Sequence, residues 1–208
     1  ISRTVVWTGK APITFNQFVY RDEFPALIHT GHAALFDTVR AQVERLLDPR
    51  TLRYISFSHF EADECGALNH WLTLAPQAEV CCGSIAARTS IADFALRPPQ
   101  AIADQGIVEL GTHRLQVLET PHFPHNWDAI LLYEAHSQTL FGSDLGTHGG
   151  QREAVTEDDR SEEVLALLLL REGVEGHPAL EVGRELARTH LRPHHLALRR
   201  ALRLEGPP

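Results

Sequence analysis

The sequence is poor in the features that mark secreted and membrane-spanning proteins. It contains three cysteines, of which Cys81 and Cys82 are adjacent, so a disulfide framework is excluded and a reducing compartment is indicated. The N-terminal segment has no apolar core of signal-peptide length. The longest apolar run, 164–170, lies between Glu163 and Arg171 and is too short to cross a bilayer. We therefore predict a cytoplasmic protein that has no membrane partner.

The sequence also has fewer basic than acidic residues. The chain has 27 acidic and 19 basic residues, which gives a formal net charge of -8. Such a chain has no electrostatic attraction to nucleic acid or to anionic membranes. Hydrophobic residues make up 43% and charged residues 22% of its 208 positions, which is typical of a globular protein. We predict one domain over residues 1–208 and no nucleic-acid partner.

Hydrophobic patterning predicts a layered domain with an α+β or α/β arrangement, in which helices cover two packed sheets. The middle of the chain carries four short strands separated by turns, which is an antiparallel pattern. The predicted strands are 13–20, 26–29, 54–58, 78–82, 107–110, 115–119, 129–133 and 139–141. The predicted helices are 33–47, 67–74, 84–94, 162–170, 180–187 and 196–204.

The first chemical motif directly follows the apolar strand at 54–58. His59, Glu61 and Asp63 alternate with other residues, so extended backbone would direct the three side chains to one side. An imidazole and two carboxylates that converge repel each other unless a cation lies among them. A divalent metal ion is the simplest solution, although a solvated loop in which Asp63 caps a helix would carry the same residues.

Three later segments, each next to a predicted strand or helix, carry further histidine or aspartate residues that can bind a metal. The segment 120–128 carries His122 and His125, and Asp144 follows the strand at 139–141. His194 and His195 lie close to the C-terminal end. Four such clusters are what a two-metal site built from loops requires. The sequence contains 13 histidines, and most of the others are expected on the surface or as hydrogen-bonded core residues.

Together these motifs resemble the metallo-β-lactamase superfamily. More narrowly, they are similar to the di-iron domain of flavodiiron proteins and related oxygen-binding di-iron proteins. The resemblance rests on His-x-Glu-x-Asp at 59–63, His-x-x-Asp at 125–128, Leu-Phe-Gly-Ser-Asp at 140–144 and Pro-x-His at 193–195, and it covers about residues 13–196. It implies an α+β fold of the αββα type, in which helices flank two packed mixed sheets and the metals lie at one sheet edge. Zinc hydrolases of the superfamily carry a second histidine at the position of Glu61, whereas the flavodiiron branch carries glutamate.

The resemblance also implies a ligand set for two iron ions, with zinc or manganese as alternatives. It assigns His59, Glu61 and His125 to one metal and Asp63 and His195 to the other, and Asp144 would bridge them. His125 is preferred to His122 because Asp128 follows it by three residues, as in the family pattern. His195 is preferred to His194 by the Pro-x-His pattern. No catalytic residue beyond the ligands is implied.

One position departs from the pattern, because Glu64 stands where the family usually has histidine after the aspartate. Glu64 is an additional candidate ligand for the second metal. Alternatively, it could leave that coordination position to a water molecule or simply cap the following helix. The neighbouring Cys65 is expected to be a small buried residue rather than a redox-sensitive thiol. Phe60 and Trp127 are candidates either to wall the site or to pack beneath it.

The implied function is the binding of O2 or NO, with reduction if electrons are supplied. Flavodiiron proteins carry a flavodoxin domain, and these 208 residues contain no Gly-rich phosphate loop for one. The expected partners are therefore O2 or NO, a separate electron donor (a flavoprotein or a rubredoxin-like protein) and a second copy of the chain in a homodimer. The alternatives are a dinuclear zinc hydrolase acting on an ester, thioester or lactam, and a non-catalytic oxygen or redox sensor.

Overall fold

Two sheets form the framework of the protein in a computed structural model that describes residues 2–7 and 12–146. The first sheet has six strands in the order β1-β2-β3-β4-β5-β6. These are Ser2–Trp7, Pro12–Tyr20, Ala26–Ile28, Tyr54–Ser56, Glu79–Gly83 and Gln100–Ile102. β1, β2 and β3 pair antiparallel, and β3 to β6 pair in parallel, so this sheet is mixed as predicted.

The second sheet has four strands in the order β10-β9-β8-β7, and every pair is antiparallel. They are β7 Ile107–Glu109, β8 Arg114–Glu119, β9 Ile130–Glu134 and β10 Thr139–Phe141. The antiparallel pattern predicted for the middle of the chain is therefore confirmed. The expectation that both sheets are mixed does not hold for the described part of this one, because each strand pairs antiparallel with the next strand along the chain.

The helices are α1 Phe36–Val43, α2 Ala62–Cys65, α3 Leu68–Leu74, α4 Ser84–Ala86 and α5 Ala92–Phe94. A π-helical stretch, Ala87–Ile91, joins α4 to α5, so the predicted helix 84–94 is confirmed in extent. The predicted helix 33–47 is too long: it opens with 3-10 turns at Ala33–Leu35, and α1 ends at Val43. The helices predicted at 162–170, 180–187 and 196–204 lie outside the described residues.

Strand alternation separates two cores on the faces of the first sheet. On β3, Leu27 packs toward the helices with Trp71, while its neighbour Ile28 packs toward the second sheet with Leu132 and Phe141. Successive side chains of a strand point to opposite faces, so one strand contributes to both cores. The prediction of two packed sheets with helices over them is thus confirmed in the described residues. Within those residues, no helix is long and apolar enough to cross a membrane.

Sequence patterning missed two strands, β1 and β6. Both lie at edges of the first sheet, and β6 has only three residues, of which Gln100 and Ala101 are exposed. A short edge strand with one buried side chain shows no alternation from which it could be predicted.

Candidate metal centre

The ends of several strands meet at one edge of the two sheets. β3 and β4 are parallel neighbours, so the residues that follow them, His29 and the segment from Ser58 onward, emerge at the same edge. In the second sheet β9 begins, and β8 and β10 end, at this edge. The backbone N–H of Ile130 donates to the carbonyl oxygen of Ser58 at 2.8 Å, which ties the two sheets together beside the site.

The loop after β4 supplies His59 and Glu61. His59 is only 1% exposed, and Glu61 has extended backbone (φ -135°, ψ 159°). The helix α2 then begins at Ala62, so Asp63 lies on a helical turn. The expected alternation of three side chains along extended backbone is therefore wrong at Asp63, because helix formation rotates that residue out of line.

The loop between β8 and β9 supplies His125. Its fold is fixed internally, since Thr120 Oγ1 donates to the Phe123 carbonyl oxygen at 2.9 Å and His122 N donates to the Asn126 carbonyl oxygen at 2.7 Å. His122 adopts the left-handed backbone region (φ 64°), and its side chain is exposed. His125 is directed to the sheet edge instead, beside His59, Glu61 and Asp144, and its preference over His122 as a ligand stays a prediction.

Four predicted ligands converge at this edge: His59, Glu61, His125 and Asp144 each offer an atom, and these atoms lie within 4.8 Å of one another. His125 Nε2 is 2.6 Å from Asp144 Oδ2, and its Nδ1 is 3.6 Å from Glu61 Oε1. His59 Nε2 is 3.4 Å from Glu61 Oε2, and the two imidazole rings are 4.6 Å apart between centroids. We call these four residues the four-residue cluster.

Asp63 and His195 are not in the four-residue cluster. Asp63 is half-buried, and its pKa is raised by burial first and then by the charges of Glu64, Asp144 and Glu61. The charges of two cluster residues, Asp144 and Glu61, thus act on the Asp63 carboxyl. His195 and its alternative His194 lie outside the described residues.

Glu64 is directed into the protein, where it is 3% exposed. One carboxylate oxygen, Oε2, accepts hydrogen bonds from the backbone N–H groups of Ser58 at 2.7 Å and His59 at 2.9 Å. The other, Oε1, accepts from the Ser143 hydroxyl and lies 3.5 Å from His29 Nε2. Its carboxylate therefore binds backbone that precedes the N-cap of α2, so the reading of Glu64 as a simple helix cap is wrong.

Sequence reasoning missed two residues around Glu64, His29 and Ser143. His29, which was expected to be an ordinary surface or core histidine, is buried and lies 3.0 Å from Ser58 Oγ through its Nε2. Ser143 precedes Asp144 on a 3-10 turn and has a left-handed backbone (φ 48°). The only sequence signal for Ser143 is its place directly before Asp144 in the Leu-Phe-Gly-Ser-Asp motif.

A buried nitrogen atom that lacks a hydrogen-bond partner in the described part of the chain shows that the four-residue cluster fits a metal ion. His59 Nε2 is fully buried and has no hydrogen-bond partner among the described residues, although it faces Glu61. A buried polar atom without a partner costs free energy, and a cation coordinated there removes that cost. Two imidazoles and two carboxylates make a donor set suited to a transition metal such as iron, manganese or zinc.

Comparison with known proteins places the chain in a family. The model described as ODP family beta lactamase matches residues 13–168. The chain belongs to this family. This confirms the predicted resemblance, and the matched range contains His59, Glu61, Asp63, His125 and Asp144.

Curated relatives of this chain include proteins named diflavin flavoprotein and nitric oxide reductase. The chain is 36% identical over 142 residues to diflavin flavoprotein A 2 of Synechocystis sp., a match that covers 65% of this chain and 24% of that protein. It is 29% identical over 144 residues to a nitric oxide reductase of Moorella thermoacetica, covering 65% of this chain and 34% of that protein. The chain thus spans about a quarter to a third of the length of these relatives.

The fold is shared with solved structures. Rubredoxin oxygen:oxidoreductase from Desulfovibrio gigas superimposes with a TM-score of 0.67 and 18% identity, covering 79% of this chain and 41% of that one. The predicted metallo-β-lactamase fold is therefore confirmed.

Three other sequence expectations have definite outcomes. Cys65 is buried and free, so the expectation of a small buried residue is confirmed, and burial raises the pKa of its thiol to about 12. Phe60 and Trp127 are 36% and 53% exposed, so neither packs beneath the site as a core residue. Phe60 lies against Phe94, with ring centroids 5.2 Å apart.

Proposed function

We propose that this chain is a non-haem di-iron protein of the flavodiiron type, which binds O2 or NO and reduces it with electrons from a separate donor. The observation that carries the proposal is the convergence of His59, Glu61, His125 and Asp144 at one sheet edge, with the buried His59 Nε2 facing Glu61. Family membership over residues 13–168 and the names of the relatives support it.

The proposed ligand set divides between two metal positions. His59, Glu61 and His125 would hold the first, Asp63 and His195 would hold the second, and Asp144 would be available to both. Two ferrous ions bound there would supply one electron each and open coordination positions for O2 or NO. The protein's part is to hold three carboxylates close together, which offsets much of the metal charge and favours the oxidised pair over the reduced pair.

Glu61 favours iron over zinc in this proposal. Oxygen ligands suit iron and manganese better than zinc, whereas a second histidine at this position would give the nitrogen-rich set of the zinc hydrolases. Raw affinity still favours zinc over ferrous iron, so zinc found in purified protein would not identify the working metal.

The electron donor is proposed to be a separate flavoprotein or rubredoxin-like protein. One relative is named a diflavin flavoprotein, and one structural neighbour is named a rubredoxin oxygen:oxidoreductase. Homodimer formation and a cytoplasmic location remain predictions, as does the assignment of residues 1–208 to one domain.

The test is to load metal-free protein anaerobically with ferrous iron, expose it to O2 or NO, and follow gas consumption together with ferric absorption. Zinc-loaded protein is assayed in parallel on thioesters and lactams. We expect gas consumption by the iron form and hydrolysis by neither form. Efficient hydrolysis by the zinc form, together with an iron form that reacts with neither gas, would refute this proposal and support the zinc hydrolase.

A matched pair of variants connects the test to the site. His125→Asn and His122→Asn make the same change three residues apart on one loop, and asparagine tolerates the left-handed backbone of His122. We expect His125→Asn to lower the bound iron and His122→Asn to retain it, as measured by elemental analysis. Equal iron content in the two variants would remove His125 from the ligand set.

A further inference from the structure

Glu64 and the four-residue cluster face opposite edges of the same imidazole ring. His59 Nε2 faces the cluster, 3.4 Å from Glu61 Oε2. His59 Nδ1, on the other edge, lies 3.5 Å from Glu64 Oε2 and 3.4 Å from Ser143 Oγ. A metal bound at Nε2 would therefore lie across the ring from the Glu64 carboxylate.

The hydrogen bonds around Ser143 determine which ring nitrogen carries the proton. A carboxylate can only accept, so Ser143 must donate its hydroxyl proton to Glu64 Oε1. The Ser143 oxygen is then left as an acceptor toward His59 Nδ1, at 3.4 Å. Nδ1 consequently bears the ring proton, and Nε2 keeps the lone pair that a metal requires.

We propose that Glu64 is a positioning residue of the metal centre, which acts through Ser143 to hold His59 as the tautomer with a free Nε2. This inference rests on the proposed metal site. It gives Glu64 a role other than that of a ligand: the residue joins the loop after β4, through two backbone N–H groups, to the turn that carries Asp144.

The carboxylate fits this role in a way that an amide does not. In Glu64→Gln the amide oxygen must take the place of Oε2, because that place faces the backbone N–H groups of Ser58 and His59. The amide nitrogen then faces Ser143 and donates to its oxygen. The Ser143 proton is thereby turned toward His59 Nδ1, which favours the tautomer with the proton on Nε2 and so blocks that nitrogen.

The first measurement needs no metal. Long-range proton–nitrogen NMR spectra of metal-free protein at about pH 8, where ordinary imidazoles are neutral, report which nitrogen of His59 is protonated. We expect protonated Nδ1 in the parent protein and protonated Nε2 in Glu64→Gln. Ser143→Gly, which suits the left-handed backbone there, should shift the population in the same direction if Glu64→Gln does not fold.

The second measurement is affinity for ferrous iron, determined anaerobically by competition with a chelator. Loss of such a supporting hydrogen bond weakens metal binding by about 10- to 100-fold, and we expect this for Glu64→Gln. Glu134→Gln is the control, because Glu134 is also a buried carboxylate that accepts from backbone N–H groups, three in its case, and from a serine hydroxyl. It lies at the far end of β9 from Ile130, so its iron affinity should equal that of the parent protein.

The outcomes separate this inference from the proposed function. Protonated Nε2 in the parent protein, or an unchanged His59 in both Glu64→Gln and Ser143→Gly, would overturn the role of Glu64. Loss of one of two bound irons in Glu64→Gln with unchanged His59 would make Glu64 a ligand instead. A parent protein that binds no iron would refute the di-iron function, while the NMR result would still decide the role of Glu64.

Discussion

Gly83 allows the two sheets to approach each other directly beneath the candidate metal centre. It ends β5, and a Cβ atom built there would lie 2.6 Å from Cγ2 of Ile130, the first residue of β9. Ordinary contact begins at 3.4 Å, so in Gly83→Ala the strands must separate by about 0.8 Å. Cγ2 is attached to the branched Cβ of a buried side chain, which cannot swing away.

Two opposing effects determine how much Gly83→Ala changes the free energy of unfolding. Overpacking of a core costs about 1–3 kcal/mol, and Gly83 has φ -58° and ψ 155°, which alanine adopts without strain. Replacement of glycine also restricts the unfolded chain, which stabilises the protein by about 0.4–1 kcal/mol. We therefore expect Gly83→Ala to lower the free energy of unfolding by about 1–2 kcal/mol.

The displacement should also reach the metal centre. Ile130 N donates to the Ser58 carbonyl oxygen at 2.8 Å, and Ser58 N donates to Glu64. Movement of β9 away from β5 therefore pulls on the segment that holds His59. We expect weaker binding of ferrous iron in Gly83→Ala, measured by the same chelator competition.

Urea unfolding followed by fluorescence of the buried Trp71 measures the stability change. Gly142→Ala is the matched control, because its added Cβ would meet Leu145 Cβ at an ordinary 3.6 Å. Ile130→Ala removes the obstructing methyl group. The double variant Gly83→Ala/Ile130→Ala should therefore be more stable, by about 1–2 kcal/mol, than the sum of the two single losses of unfolding free energy predicts. The steric reasoning is refuted if Gly83→Ala is as stable as Gly142→Ala, or if the two costs simply add.

Three further predictions concern residues that are not candidate metal ligands. Asp22 accepts from the N–H groups of Glu23, Thr112 and His113 and from the His113 ring; burial alone would raise its pKa, but these hydrogen bonds hold it far below the ordinary value. The stability that the Asp22 carboxylate contributes is therefore full above about pH 4 and is lost as the pH falls. In urea unfolding, Asp22→Asn should lower the free energy of unfolding by about 1.5–3 kcal/mol at pH 7 and by about 1 kcal/mol less at pH 3. A difference that does not depend on pH would contradict this. The thiol of Cys65, whose pKa burial raises to about 12, should react with iodoacetamide at pH 8 only in denaturant, and rapid labelling of native protein would show that it is accessible. Arg97 donates to the carbonyl oxygens of Leu72, Ala75 and Ala78, a set that one lysine cannot reach, so Arg97→Lys should lower the unfolding free energy by about 1–3 kcal/mol in urea titration, and a neutral effect would show that these bonds add nothing.

The amino-acid sequence by itself determined the parts of this protein that depend on local pattern. Short apolar runs located β2 to β5 and all four strands of the second sheet, and the antiparallel pattern predicted for that sheet is observed. The motifs that follow β4, β8 and β10 contain His59, Glu61, His125 and Asp144. These residues lie together because strands that share an edge bring their end residues together.

Only the tertiary structure decided the directions of the side chains. Asp63 and Glu64 are adjacent in one motif, yet Asp63 is half-buried and coupled to the cluster charges while Glu64 is directed into the protein. The partner that distinguishes Glu64 is Ser143, which is 79 residues away along the chain. A side chain's hydrogen bonds depend on which donors the packed sheets bring near it, and for Glu64 those donors come from both sheets, so no local pattern around residue 64 could have revealed them.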